Sequence, residues 1–219
     1  MGADTGRNIE IDLPMTIRHH FNDLPDLEHY QVDTVAIDTE TLGLVPNRDR
    51  LCVVQLSPGD GTADVVQIAA GQAEAPNLVH LLANPGVTKL FHFARFDLAV
   101  LYHAFGVMAR PVFCTKVASR LTRTYTDRHG LKDICQELLD VSLSKQQQSS
   151  DWAAEKLTEA QLEYAASDVL YLHRLRDQLV SRLQRENRED LAAACFDFLP
   201  TRARLDLMGW GETDIFAHS

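Results

Sequence analysis

A chain of 219 residues, 45% hydrophobic and 24% charged, has the balance of a globular protein with one large domain or two small ones, and one domain is the simpler reading. Its net charge of -10 argues against holding a long nucleic acid by broad phosphate neutralisation, although a short substrate remains compatible with it. No apolar run is long enough for a bilayer and no basic-then-apolar leader opens the chain, so a cytoplasmic protein without a membrane partner is expected.

Residues 1–14 are polar and aperiodic, and Met15 could itself be a start, so 1–14 read as a flexible extension and 15–219 as a single domain. A first strand is expected at 16–20, then a turn with Pro25 and a short helix near 24–30. Residues 34–43, Thr-Val-Ala-Ile-Asp-Thr-Glu-Thr-Leu-Gly, form an apolar β-forming run that ends in two carboxylates and a turn signal. If the strand continues through residue 40, its period of two puts Asp38 and Glu40 on one face, about 7 Å apart, with Thr39 pointing away. Two adjacent anions suit a hard divalent ion such as Mg2+ or Mn2+, which takes carboxylate oxygens and leaves positions for water and phosphate. A strand whose acidic end is merely solvated is the alternative.

Residues 51–56 and 63–68 flank Ser-Pro-Gly-Asp-Gly and read as an antiparallel hairpin. Helix is expected at 77–83, a buried strand at 88–93 and a second helix at 95–105. A hairpin followed by βαβ predicts an α/β fold, a mixed central sheet with flanking helices. From Thr115 the chain is mainly helical, with helices at 116–121 and 131–139 and a polar loop at 144–150. A long helix begins after Thr158, where Thr158 and Gln161 have capping-box spacing. Its stripe of Leu162, Ala166, Val169, Leu170, Leu172, Leu175 and Leu179 is expected to pack on the sheet. Between Arg110 and Lys145 seven basic residues outnumber four acidic ones, a place for phosphate contacts or simply a solvated helical face. Cys52, Cys114, Cys135 and Cys195 are widely spaced in apolar segments without a Cys-x-x-Cys pair, so they read as buried, reduced thiols.

Asp97 follows the strand at 88–93 in the first turn of the next helix, where the helix dipole alone favours an acid. Loops after strand ends in an α/β sheet also converge on the ligand face. Tyr164 and Asp168, four residues apart, share one helix face. A carboxylate in an otherwise apolar helix is costly to bury unless it is paired or coordinates metal. The order Asp-x-Glu, Asp, Tyr-x-x-x-Asp is more specific than any of its parts.

With these five positions the chain resembles the DEDD superfamily of 3'-5' exonucleases, in the Tyr-containing branch that includes RNase D and the proofreading domains of DNA polymerases. The likeness covers nearly all of the chain after Met15. Asp38 and Glu40 match the first motif, Asp97 the second, Tyr164 and Asp168 the third; the branch that uses His would need it at position 163, which is Glu163. Ser150-Asp151-Trp152 and the run from Tyr164 to Leu172 are similar to RNase D. RNase D carries helical HRDC domains after its catalytic domain, and only a short stretch follows Asp168 here. The run at 124–130, the loop at 145–152 and the tail at 210–216 resemble the nanoRNase C family, which clears diribonucleotides and forms ring-like homo-octamers.

The resemblance implies an RNase H-like fold and two-metal hydrolysis to 5'-nucleoside monophosphates, with two Mg2+ or Mn2+ ions. Asp38 would bridge both ions, Glu40 and Asp168 would complete one site and Asp97 would support the second through water, while Tyr164 positions the attacking water. It implies that Leu42 wedges between two terminal bases; packing on the sheet is the plain alternative. Lys116 and Gln146 are candidates for holding the 5'-phosphate of a dinucleotide, one by a mobile charge and one by an amide donor. His92, Arg95 and His129 are read as structural hydrogen-bonding residues. The tail at 205–216, with Trp210, Ile215 and Phe216, marks an interface or folds back on its own domain. The rival readings are a general 3'-5' exonuclease on longer RNA or DNA, and an inactive nucleic-acid-binding scaffold, against which the intact five-residue set argues.

Overall fold

A computed structural model describes residues 16–218, so the extension assigned to 1–14 lies outside the described residues. The Val- and Ile-rich runs become one six-stranded sheet of β1 (Thr16–Phe21), β2 (Thr34–Thr41), β3 (Leu51–Ser57), β4 (Thr62–Gln67), β5 (Thr88–Phe91) and β6 (Val112–Cys114). The spatial order is β1-β4-β3-β2-β5-β6. β2, β3 and β4 are antiparallel neighbours, while β1 joins β4, β5 joins β2 and β6 joins β5 in parallel. β3 is buried along its whole length, as an apolar central strand should be. The hairpin turn brings Gly59, at φ 93°, under the His173 ring; a Cβ there would come within 2.9 Å of it.

The described residues form seven α-helices, α1 (Pro76–Ala83), α2 (Ala94–Phe105), α3 (Thr115–Thr122), α4 (Leu131–Leu139), α5 (Glu159–Leu170), α6 (Leu172–Arg185) and α7 (Glu189–Leu205), of which α7 has no counterpart in the sequence reading. The sheet is mixed and the C-terminal half of the chain is mainly helical, as the order of patterns predicts. Residues directly opposite across the ladders share a face, which places Asp38, Gln55 and Val65 on one side of the sheet and Thr39, Val54 and Val66 on the other. α5 packs across β1 to β4 on the Asp38 side, closing a small core of Cys52, Val53, Val65, Trp152, Leu157 and Ala165. The main core fills the rest, with α2 under α7 and α6 against α3 and α4.

Several boundaries differ from the sequence expectation. The helix expected near 24–30 shrinks to a single 3-10 turn, Glu28–Tyr30. The chain before it is drawn to α1 instead, where the Asp23 carboxylate accepts from the N–H groups of Asn77 and Leu78, each at 2.9 Å. β5 ends at Phe91, because Phe93 adopts a left-handed conformation (φ 73°, ψ 42°) to turn the chain into α2. The single helix expected after Thr158 is broken at Tyr171 (φ -98°, ψ -6°), so α5 lies on the sheet while Leu172, Leu175 and Leu179 of α6 enter the helical core. Its start is as read: Gln161 N donates to Thr158 Oγ1 and Thr158 N to Gln161 Oε1. β6 has no counterpart in the sequence reading. All four cysteines are unpaired; three are buried and Cys195 is half-buried. Among the described residues, no helix is long and apolar enough to cross a membrane.

Candidate active site

The end of β2 and one face of α5 meet at a cavity of about 310 Å3. Asp38 and Glu40 line it from the strand, Tyr164 and Asp168 from the helix, and the capping box fixes where the helix starts and hence which turn faces β2. One oxygen each from Asp38, Glu40 and Asp168 lie within 4.8 Å of one another. Asp97 stands apart from this trio. It is buried at the start of α2, and its Oδ1 accepts a 2.7 Å hydrogen bond from the Thr39 hydroxyl. Thr39 points away from Asp38 and Glu40, as period two requires, and that is how it reaches Asp97. On the other face, Gln55 Nε2 donates to Asp38 Oδ2 at 2.6 Å.

Burial raises the pKa of all four carboxyl groups above the ordinary range. Mutual repulsion adds to it: Asp97, Asp168 and Glu40 push Asp38 up, and Asp168 and Asp97 push Glu40 up to about 9. The Thr39 hydroxyl pulls the other way on Asp97. None of the ion pairs among the described residues includes any of the four. Closely set hard oxygen donors with no Lys or Arg to neutralise them fit divalent cations. The Tyr164 phenol is also pushed up, first by burial and then by the charges of Asp168, Glu40 and Asp38, so it stays protonated. Its ring packs against Trp152, centroid to centroid 5.9 Å.

Of the substrate candidates, Lys116 lines the cavity, and its Nζ lies 4.3 Å over the Phe93 ring. Burial lowers its pKa, and nearby Arg120 adds to the effect. Gln146 is exposed in its loop and outside the cavity lining; its neighbours Lys145 and Gln148 reach the cavity. Leu42 is 55% exposed in the turn after β2, where Leu44 and Val45 are also exposed, as is Phe93 at the start of α2. The last three line a second cavity with Phe96 and Leu207. Arg95 is engaged elsewhere, donating to Asp206 and to Gly211 O. His92 Nδ1 pairs with Thr115 Oγ1 and His129 Nδ1 with Ser119 Oγ, each at 2.9 Å. All three therefore have the hydrogen-bonding roles expected, and His92 also lines the cavity with Asp38, Glu40, Tyr164 and Asp168. A larger cavity of about 490 Å3, bordered by Tyr30, Asp33 and His80, has no comparable set of carboxylates.

Thr39 and Phe93, which line the cavity, and Gln55, which contacts Asp38, were given no role by the sequence reading, and Trp152, which contacts Tyr164, entered it only within a family motif. Gln55 was visible as a lone amide in the apolar strand Leu-Cys-Val-Val-Gln-Leu. Thr39 and Phe93 carry no such signal.

The profile of a 3'-5' exonuclease family matches residues 24–184. Brucella melitensis NrnC with bound Mg2+ is 74% identical, with a TM-score of 0.91 over 94% of this chain and 100% of that one. NrnC from the same organism bound to pGG is 75% identical, with a TM-score of 0.92 over the same shares. Ribonuclease D of Gluconacetobacter diazotrophicus is 38% identical over 160 residues, which are 73% of this chain and 40% of that protein. The chain thus spans well under half the length of the curated ribonuclease D relatives it matches.

Proposed function

Because the chain belongs to the 3'-5' exonuclease family, a family of phosphodiester hydrolases, we propose that it is a metal-dependent exoribonuclease for very short RNA, above all diribonucleotides, releasing 5'-nucleoside monophosphates in the cytoplasm. The observation that carries this reading is the chemistry of one cavity. Asp38, Glu40 and Asp168 line it without a cationic partner, and Lys116, Lys132 and Lys145 line it as well. Such a site takes divalent cations at its carboxylates and a phosphate at its lysines. The likeness to NrnC bound to pGG supports the same ligand class here.

Asp38, Glu40 and Asp168 would hold the ions, with Asp97 supporting the second through water. Bound there, Mg2+ or Mn2+ supplies acidity to the attacking water and neutralises charge on the departing 3'-oxygen. Tyr164, kept protonated and braced by Trp152, orients that water through its hydroxyl. Lys116 pairs with the 5'-phosphate, assisted by the 144–148 loop that carries Gln146, from which Lys145 and Gln148 line the cavity. Leu42, exposed beside the strand end, separates the two bases. A capped 5'-phosphate leaves no room for a longer strand.

The test is a length series of RNAs from two to ten nucleotides with a DNA control, at equal concentration in Mg2+ or Mn2+. Dinucleotides should be cleaved fastest. Comparable rates at all lengths would remove the dinucleotide reading and favour a general exonuclease.

A further inference from the structure

The carboxylates of the site are not all held alike. Asp38 stands directly opposite Gln55 across the β2–β3 ladder, and Gln55, which has no exposed surface, donates to Asp38 Oδ2 at 2.6 Å. One residue on, Thr39 turns to the opposite face of β2 and donates to Asp97 Oδ1 at 2.7 Å, both residues being buried. Glu40 receives no side-chain donor among the described residues. Gln55 Oε1, meanwhile, is buried without a partner. Native proteins pair nearly all buried polar atoms, so an apolar side chain would suit this strand position better if packing were the only demand. The amide nitrogen faces Asp38, the orientation that a carboxyl ionised to hold a cation requires, since both of its oxygens then only accept. A donor that occupies one carboxylate oxygen fixes the plane of the group and the direction of the lone pairs left over.

We propose that Gln55 and Thr39 are positioning residues that clamp Asp38 and Asp97 from opposite faces of β2, presetting both carboxylates for the divalent cations of the site. The clamp rests on the cation-dependent reading above, but it concerns metal-free geometry and is measurable without substrate. Thr39 is the middle residue of Asp-x-Glu, so the motif would join two faces of the sheet as well as supplying two ligands. Gln55→Met removes the donor at similar length, Thr39→Val removes the hydroxyl at similar shape, and Thr39→Ser restores it.

The full-length protein, stripped of metal, is titrated with Mn2+ by calorimetry and melted in EDTA. Thr39→Val and Gln55→Met should each weaken Mn2+ binding by about 10- to 100-fold, the usual effect of losing an outer-shell partner. Their metal-free melting temperatures should stay within about 4 °C of the wild type, and Thr39→Ser should recover most of the lost affinity. Wild-type Mn2+ affinity in variants that melt lower would make both residues ordinary core polar groups and overturn the clamp, as would a wild type that takes up no Mn2+. If Thr39→Val does not fold, Gln55→Met and Thr39→Ser decide: unchanged affinity in Gln55→Met overturns the proposal. A wild type that binds Mn2+ yet cleaves no RNA would overturn the exonuclease reading and leave the clamp standing.

Discussion

Asp168 contributes one of three oxygens gathered within 4.8 Å, with no cationic side chain to balance it. Replacing it by Asn keeps the shape and removes a ligand charge. Asp168→Asn should therefore lower hydrolysis of a dinucleotide in Mg2+ by about 100-fold or more, while melting in EDTA is unchanged or higher because repulsion is relieved. Full activity in that variant would remove the metal site. Tyr164→Phe should be milder, because the phenol orients water and the ring contact with Trp152 survives the change. Lys116 discriminates by length. Losing a charge-assisted phosphate contact should slow dinucleotides roughly tenfold or more, and Lys116→Ala should slow a ten-nucleotide RNA much less. Equal slowing of both would show that Lys116 caps nothing.

At the scale of elements, the cavity wall opposite β2 depends on how α3 and α4 are joined. Arg123, at the end of α3, is 1% exposed and forks onto Glu137 of α4, while its Nη1 donates to Ser119 Oγ and Arg128 O at 3.0 and 2.6 Å. This holds the 124–130 run and so places Gly130, Leu131 and Lys132 on the cavity. The Arg123 guanidinium lowers the Glu137 pKa from 4.5 to about 2. A carboxylate depressed on folding stabilises fully above its unfolded pKa, and that contribution is lost as pH falls from about 4.5 toward 2. Glu137→Gln should thus cost about 1–2 kcal/mol at pH 7, limited by solvent screening because Glu137 is 38% exposed. Urea unfolding at pH 7 and near pH 2 checks this, with the difference shrinking at the lower pH. Local patterns were enough to read β2, α4 and the start of α5, because strand alternation and the capping box act within a few residues. The break at Tyr171 was invisible because the apolar spacing runs on through it, and β6 is only three residues long. The five candidate positions were legible as types in order, and four of them line one cavity. Their orientation was not, since Thr39 meets Asp97 across 58 residues of chain and Gln55 meets Asp38 across 17.

At the scale of the whole molecule, the tail combines a pinned backbone with exposed apolar side chains. Arg95 and Arg202 both pair with Asp206, and together they donate to carbonyls of Trp210, Gly211 and Thr213, so the backbone there is pinned. Phe216 packs its ring 6.0 Å from Phe198, a partial folding back on α7. Even so, Trp210 and Phe216 remain 41% and 77% exposed, and Met208 and Ile215 are exposed beside them. Apolar side chains held outward on a pinned backbone are what an interface between copies needs, since little order is lost on association. Light scattering should give a mass above the 24.6 kDa of one chain, eight times it for the octamer that the family resemblance implies, and Trp210→Glu with Phe216→Glu should reduce it at the same protein concentration. A wild type that stays monomeric at every concentration would dismiss the octamer. Arg95 lies two residues before Asp97, yet its pairing with Asp206 is made within one chain. Disassembly should therefore leave Mn2+ affinity unchanged, and a parallel fall in affinity and mass would mean that neighbouring copies help to build the metal site.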